Sequence, residues 1–291
     1  MMPEQSLIAS LREGVAGFSK SQRLLASFIA GHYQTVAFST LSELASLSGV
    51  SEASIVRFAR VLGFSGYPAL QKEIRRLVRS DLKGTDRFSL TSEYAATGSD
   101  PLKVAIAKEM ENIASLEESH DMRAFQDAIR AITGASQILV SGSRSTASLA
   151  NHLWFGLQKL GFPADRSLAV TSETYDSLHR LDDHGCLIVI GFPRYLTEQL
   201  RLLDRARSGK LTTVVITDSP LSPLQGDINL CAPAESASFV AFHCAPLILL
   251  NTLLNEISLV DRDRTLNALS RFETLADSEG YFHIPHEETK S

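Results

Sequence analysis

Two groups of residues have side chains whose types and spacing could do chemistry. The first lies in the stretch SEASIVRFAR and consists of Ser51, Glu52, Ala53, Ser54, Arg57 and Arg60. A serine hydroxyl donates or accepts at several base edges, an alanine methyl packs on a thymine methyl, and an arginine grips guanine through two bonds. Such a bidentate pair is worth roughly 1–3 kcal/mol of discrimination between bases. The second group is divided between two loops, Gly142-Ser143-Arg144-Ser145-Thr146 and Phe192-Pro193-Arg194-Tyr195, with Glu173 between them in sequence. If Arg144 and Arg194 share a cleft, their guanidinium groups can clamp a carboxylate or phosphate by paired bonds. Glu173 is a candidate acceptor for a ligand hydroxyl.

The first group needs a helix to present it. Residues 40–63, TLSELASLSGVSEASIVRFARVLG, read as two short amphipathic helices joined at Gly49. Leu41, Leu44 and Leu47 share one face of the first; Ile55, Phe58, Ala59 and Leu62 share one face of the second. Gly49 allows the left-handed backbone that ends a helix, and Ser51 is placed to cap the next one. This is the sequence form of a helix-turn-helix. In such motifs the N-terminal part of the second helix meets base edges in the major groove. Upstream, residues 6–14 suggest a short helix. Ser19 or Ser21 would cap another that carries Leu24, Leu25, Phe28 and Ile29 and ends near His32 and Tyr33. Downstream, Pro68 opens a helix lined by Lys72, Arg75, Arg76 and Arg79, with Lys72 the candidate contact to the DNA backbone.

Residues 80–100 are polar and read as a linker. Asp100-Pro101 then opens a helix with Leu102, Ile106, Met110, Ile113 and Leu116 as its apolar stripe. A second helix from about Met122 ends at Gly134. From Gln137 onward, short β-branched runs (QILVSG, residues 164–170, CLIVIGF, TTVVITD, INLCAP) alternate with helical segments at residues 145–160, 174–180 and 197–207. A last apolar helix follows, from Phe239 to about Val260, with Pro246 near its start or at a kink. Apolar strands alternating with helices imply a doubly wound parallel sheet covered on both faces. Ligands on such sheets sit at the carboxyl ends of the strands, where the two arginine-bearing loops fall. The expected fold is thus an all-α helix-turn-helix bundle over residues 1–80, a linker over 81–100, and an α/β body over 101–291.

Charge is distributed to match. Residues 1–80 hold nine Lys/Arg against five Asp/Glu, so a chain of net charge −5 places −9 on its other 211 residues. A basic small domain on an acidic large one suits a head that meets nucleic acid. Hydrophobic content of 44 % and charged content of 21 % speak against long disorder. The longest apolar run, residues 239–250, is broken by His243 and falls short of the ~20 residues of a membrane span. The N-terminal stretch lacks a basic region followed by an apolar one, so no secretion signal is expected. Cys186, Cys231 and Cys244 show no metal spacing and fit a reducing cytoplasm. Glu173, His179, His243 and Glu256 are available as acids or bases, but no spacing singles one out. No catalytic residue, cofactor or metal ligand is expected, and His243 reads as a hydrogen-bonded core histidine.

A head of this kind followed by this body resembles the RpiR-type bacterial transcription regulators, which join a helix-turn-helix to a sugar-isomerase (SIS) domain. The likeness covers nearly the whole chain. SEASIVRFARVLGFSGYPALQ resembles the family's most recognisable stretch. VSGSRSTASLANHLWFGLQKLG resembles the first SIS strand, loop and helix, and VVITDSPLSPL the fourth strand and its exit. The resemblance implies a cytoplasmic regulator of catabolic genes, with double-stranded operator DNA as partner and a phosphosugar or related acid as effector. The sequence departs from the family where ligand binds. The family's first loop is G-x-G-x-S; Gly142 matches the first Gly, Arg144 stands at the second, and Thr146 takes the Ser position. The family's third-strand loop is S-x-S-G-x-T; Gly191, Pro193, Arg194 and Leu196 fill those slots. The small groups that let backbone amides cradle a phosphate are replaced, and two arginines stand in their place. The expected effector is therefore an anionic metabolite, sugar phosphate or sugar-acid-like. A homodimer or homotetramer is expected because one helix-turn-helix spans few base pairs. The alternative is a sugar-phosphate isomerase or lyase with an accessory helix-turn-helix.

Overall fold

A computed structural model describes residues 17–81, 100–236 and 243–283, together with Leu11, Thr85, Phe88 and Gly98. Of the helix expected over residues 6–14, only Leu11 is described; it is helical and buried in the core of the head. Most of the expected linker, and residues 239–242 of the last apolar helix, lie outside the described residues.

Four helices build the head: α1 (Lys20–Val36), α2 (Leu41–Ser48), α3 (Glu52–Val61) and α4 (Tyr67–Asp81). Local chemistry sets their starts. Ser19 and Gln22 form a capping box ahead of α1, and Thr40 and Glu43 form another ahead of α2. The two hydrogen bonds from Thr40 hold the Glu43 carboxyl below its ordinary range. Helix α1 runs three residues past Tyr33, with a kink at His32 (φ −133°), so the expected end is a bend. Gly49 ends α2 in the left-handed region at φ 67°, as its position implied. The core joins Leu25, Ile29, Leu44, Ile55, Phe58, Leu70 and Ile74, all fully buried. Phe18 packs edge-to-face on Phe58 at 5.4 Å. Leu47 stays 52 % exposed, because α2 seats itself through Leu44 and Ser48, which form one line at i and i+4.

The body opens with α5 (Pro101–Ser119), capped by Asp100, and α6 (Met122–Thr133). Five parallel strands follow: β1 (Ile138–Gly142), β2 (Ala164–Ser167), β3 (Cys186–Ile190), β4 (Thr212–Thr217) and β5 (Ile228–Cys231). Helices α7 (Ala147–Lys159), α8 (Ser172–Arg180), α9 (Thr197–Ser208), α10 (Cys244–Val260) and α11 (Arg262–Glu279) complete it. Strand order is β2-β1-β3-β4-β5, with Ile138 level with both Ala164 and Cys186. Alternate residues of β1 face opposite layers. Ile138 and Val140 join the core shared with α6, α7 and α10, whereas Leu139 joins the core shared with α8 and α9. The doubly wound parallel sheet expected from the sequence is the observed one.

Two features depart from expectation. The stripe on α5 reaches the core only at Leu116: Leu102, Ile106, Met110 and Ile113 are 66, 50, 65 and 37 % exposed, and the other buried position is Asn112. Asn112 takes the inward seat because its amide satisfies both backbone groups of Glu235, at 2.9 and 3.2 Å. Helix α10 is also not the last: α11 follows, with Ala276 its only buried residue. Its polar surface supplies no periodic signal. Among the described residues no single helix is long and apolar enough to cross a membrane. Cys186, Cys231 and Cys244 form no disulfide among the described residues, and burial pushes the Cys186 thiol up to about 12.

Candidate functional site

In the head, α3 turns Ile55, Phe58 and Ala59 inward and leaves Ser51, Glu52, Ala53, Arg57 and Arg60 exposed, with Ser54 half-buried. Ser51 holds the N-cap position, but its hydroxyl makes no bond to the helix backbone. It pairs with Ser54 Oγ at 2.9 Å, and Arg57 donates to the same Ser54 Oγ at 3.2 Å. The result is a connected polar row, Ser51–Ser54–Arg57, along the outward face of the helix. Helix α4 divides its cations. Arg75 donates through Nε to the Ala37 carbonyl at 2.6 Å, tying α4 to the end of α1. Lys72 donates to Ser115 of α5 at 3.2 Å, so the cation expected on a DNA phosphate here bonds the body. The side chains of Arg76 and Arg79 lie outside the described residues.

In the body, chain order reverses between β1 and β3, which pair directly through Gly142 and Ile190. A crevice at such a reversal is where open α/β sheets bind ligands. Both arginine-bearing loops leave the sheet there. Gly142 closes the first: a Cβ would lie 2.7 Å from both Ala150 Cβ and the Thr146 carbonyl oxygen. Thr146 is buried and donates to the carbonyls of Ser143 or Ile190 at 2.9 and 3.0 Å. Its hydroxyl thus locks the first loop to the end of β3 instead of facing outward. Arg144, Ser145 and Arg194 are exposed, as is Glu173 in the first turn of α8. Among the described residues neither arginine forms an ion pair, so Arg194 is not held by Glu198 or Glu173. Tyr195 is half-buried against the α9 layer, and its hydroxyl donates to Asp218 at the exit of β4.

The backbone of these loops is unusual. Among the described residues only Arg144, Arg194 and Lys210 are non-glycines with positive φ, at 57°, 74° and 59°. A side chain in the left-handed region costs about 1 kcal/mol or more, and such residues gather at ligand clamps. Sequence reasoning found the two arginines but not their strained conformation. Nor did it foresee that Ser141 Oγ and Ser143 Oγ are buried without partners among the described residues, or that His243, expected as a hydrogen-bonded core histidine, leaves its Nε2 likewise unpartnered. All three lie at the carboxyl edge of the sheet. Ser141 and Ser143 belong to β1 and its exit, and the His243 ring sits 5.8 Å from that of Phe192 after β3. An unpaired buried polar group costs about 1–3 kcal/mol. Burial lowers the pKa of His243 from its ordinary value, with the Glu109 carboxylate opposing. The only sequence signal for Ser141 was a hydroxyl inside an otherwise apolar strand.

Two family models match the chain. One, "Helix-turn-helix domain, rpiR family", covers residues 5–79; the other, the SIS domain, covers residues 131–255. The chain belongs to the RpiR-type regulators. It joins their helix-turn-helix to a SIS body, and curated relatives are named HTH-type transcriptional regulators. One from Haemophilus influenzae is 26 % identical over 210 residues, 71 % of this chain and 72 % of the relative. Another, from Caldanaerobacter subterraneus, is 24 % identical over 280 residues, 91 % of this chain and 94 % of the relative. Both relatives are uncharacterised. In fold, the chain is similar to the sugar isomerase domain of an RpiR transcription factor from Sphaerobacter thermophilus. That match has a TM-score of 0.59 and 24 % identity, and covers 60 % of this chain and 99 % of that domain. The Vibrio vulnificus NanR protein, solved in complex with ManNAc-6P, matches with a TM-score of 0.58 and 18 % identity over 94 % of this RpiR-type chain and 98 % of its own.

Proposed function

We propose that this RpiR-type regulator binds operator DNA through α3 and changes its activity when an anionic small metabolite binds between the loops after β1 and β3. Residues 1–80 form the DNA-binding unit, 81–100 the linker, and 101–291 the effector-binding and oligomerising body. Ser54 and Arg57 contact base edges, flanked by Ser51, Glu52, Ala53 and Arg60, with Lys72 available to the DNA backbone once it leaves Ser115. Gly142, Ser143, Arg144, Ser145, Thr146, Glu173, Arg194 and Tyr195 form the effector site, with Gly142 and Thr146 shaping the loop and the arginines meeting the anion. The observation that carries the effector reading is the pair of arginines held in left-handed conformations at the point where the sheet's chain order reverses. A sugar phosphate or sugar acid fits that charge, and the ManNAc-6P bound by NanR is of the first kind.

The chain acts as a non-enzymatic regulator in the cytoplasm, controlling catabolic genes as a homodimer or homotetramer. The exposed apolar face of α5 supports assembly. A mobility shift on DNA from its own promoter tests the DNA-binding reading. The expected result is binding that weakens with salt by about 0.9 log units per log unit of salt for each phosphate contacted. Absence of a shift at low salt with folded protein would sink it. A thermal-shift screen with sugar phosphates and sugar acids tests the effector reading, with Arg144→Ala and Arg194→Ala expected to lose the stabilisation together.

A further inference from the structure

The head touches the body at the exit of β4, the segment that also holds Tyr195 of the second effector loop. Thr217 donates to Ser222 at 2.9 Å, and Ser222 Oγ accepts the Leu224 N–H at 3.1 Å, so the exit folds into a tight turn of its own. Two side chains of this turn reach the head. Ser219 Oγ donates to Glu73 of α4 at 3.4 Å, and Leu221 packs against the apolar core of the head. One helical position before Glu73, Lys72 is bonded to Ser115 of the body. On the other side of the turn, Asp218 accepts the Tyr195 hydroxyl. Tyr195 directly follows Arg194. A connected set of contacts thus runs from the effector loop, through Asp218 and Ser219, to the helix that packs beside the DNA-reading helix.

We propose that residues 218–222 are a latch that docks the head on the body, holds Lys72 away from DNA, and is gripped by the effector loop through Tyr195. The proposal rests on the reading of the chain as a DNA-binding regulator with its effector at the Arg194 loop. The bistable element is the docked head. While docked, Lys72 bonds Ser115 and is withdrawn from a phosphate. When released, it adds one phosphate contact. The latch is small: one apolar side chain, one exposed hydrogen bond (Lys72 to Ser115) and one part-buried hydrogen bond (Ser219 to Glu73), each of modest net worth on its own. A contact of that size suits a switch, because a ligand shifts such an equilibrium only by its differential affinity for the two states. An anion drawn to Arg194 moves the neighbouring Tyr195, which loosens or tightens the same turn that grips Glu73.

The test uses the full chain, without any effector, on a nonspecific duplex and on duplex from its own promoter. Ser219→Ala, Leu221→Asp and Tyr195→Phe are each compared with the parent protein across a salt series. All three are expected to bind DNA more tightly. On the nonspecific duplex the slope of log affinity against log salt should steepen by about 0.9, the value of one added phosphate contact. Tyr195→Phe should add nothing once Leu221→Asp is present, because both act on one latch. Ser219→Ala keeps the test open if the aspartate perturbs folding. Unchanged affinity and slope in both turn variants would show that the contact has no function. A change in the turn variants with none in Tyr195→Phe would sever the latch from the effector loop; either result overturns the proposal. A parent protein that binds neither duplex would instead refute the DNA-binding reading itself.

Discussion

The head and the two arginine-bearing loops of the body solve the same backbone problem with opposite residues. Gly49, between α2 and α3, has φ 67°; Arg144 and Arg194, beyond β1 and β3, have φ 57° and 74°. All three sit in the left-handed region, where only a residue without Cβ rests at no steric cost. In the head the position is structural, and glycine meets it. In the body two long charged side chains occupy it and pay in strain. The local rule is obeyed at the turn of the helix-turn-helix and broken in both loops proposed to hold the effector, the kind of place where strained residues gather. The buried hydroxyls of Ser141 and Ser143, without partners among the described residues, fall on the same side of that divide.

Substitutions can break or sharpen this contrast. The largest effect belongs to the head core. Phe58→Ala empties a fully buried site and should destabilise the head by about 3–5 kcal/mol. Urea unfolding followed by circular dichroism, with loss of the mobility shift, would show it. Next comes the reading face: Arg57→Ala should cost about 1–3 kcal/mol of binding to the specific site, with little change on nonspecific duplex. Equal losses on both would demote Arg57 to a phosphate contact.

The direct comparison of the left-handed positions follows. A Cβ at Gly49 meets nothing within 4 Å, so Gly49→Ala isolates the backbone term and should cost about 1 kcal/mol. Arg144→Gly should leave stability within about 1 kcal/mol of the parent, since strain relief offsets the extra freedom of the unfolded chain. It should abolish stabilisation by anions in a thermal-shift assay. Strong destabilisation by Arg144→Gly would mean the arginine is structural, and the contrast would collapse.

The smallest effect concerns pH. Burial holds His243 below its ordinary value of 6.5, against the pull of Glu109. The unfolded chain therefore takes up a proton first as pH falls. The associated stability is complete above the unfolded value and is lost progressively below it. Urea midpoints should fall from pH ~7.5 to pH ~5.5, and less steeply in His243→Gln. Equal slopes in both proteins would remove His243 as the cause.

Most of the head was legible in the sequence because its signals are local. Gly49 and the Ile55–Phe58 pair act over one or two turns, and both took their expected places. Local signals failed where a distant partner chose the outcome. The row of Leu102, Ile106, Met110 and Ile113 promised a core face on α5, yet Asn112 turned inward to meet Glu235, 123 residues away. Ser51 looked like a backbone cap, but its hydroxyl turned to Ser54 in the row that Arg57 completes. Thr146, in the hydroxyl position of the first loop, spends its hydroxyl on the loop and β3. Helix α11 was missed altogether, since a helix with one buried residue leaves no periodic trace.

By itself, the sequence determined that a helix-turn-helix precedes an alternating α/β body, and that an arginine stands in each of the loops after the first and third strands, where the family resemblance implies a glycine. Periodicity and turn chemistry record which face of an element is apolar and where the element ends. The tertiary structure decided the order β2-β1-β3-β4-β5, which sets Arg144 and Arg194 on adjacent strands' exits. It also decided the capture of Lys72 by Ser115 and the placing of the β4 exit between Tyr195 and the head. Those outcomes depend on pairings between residues far apart in the chain, and no spacing within one segment encodes which distant segment it will meet.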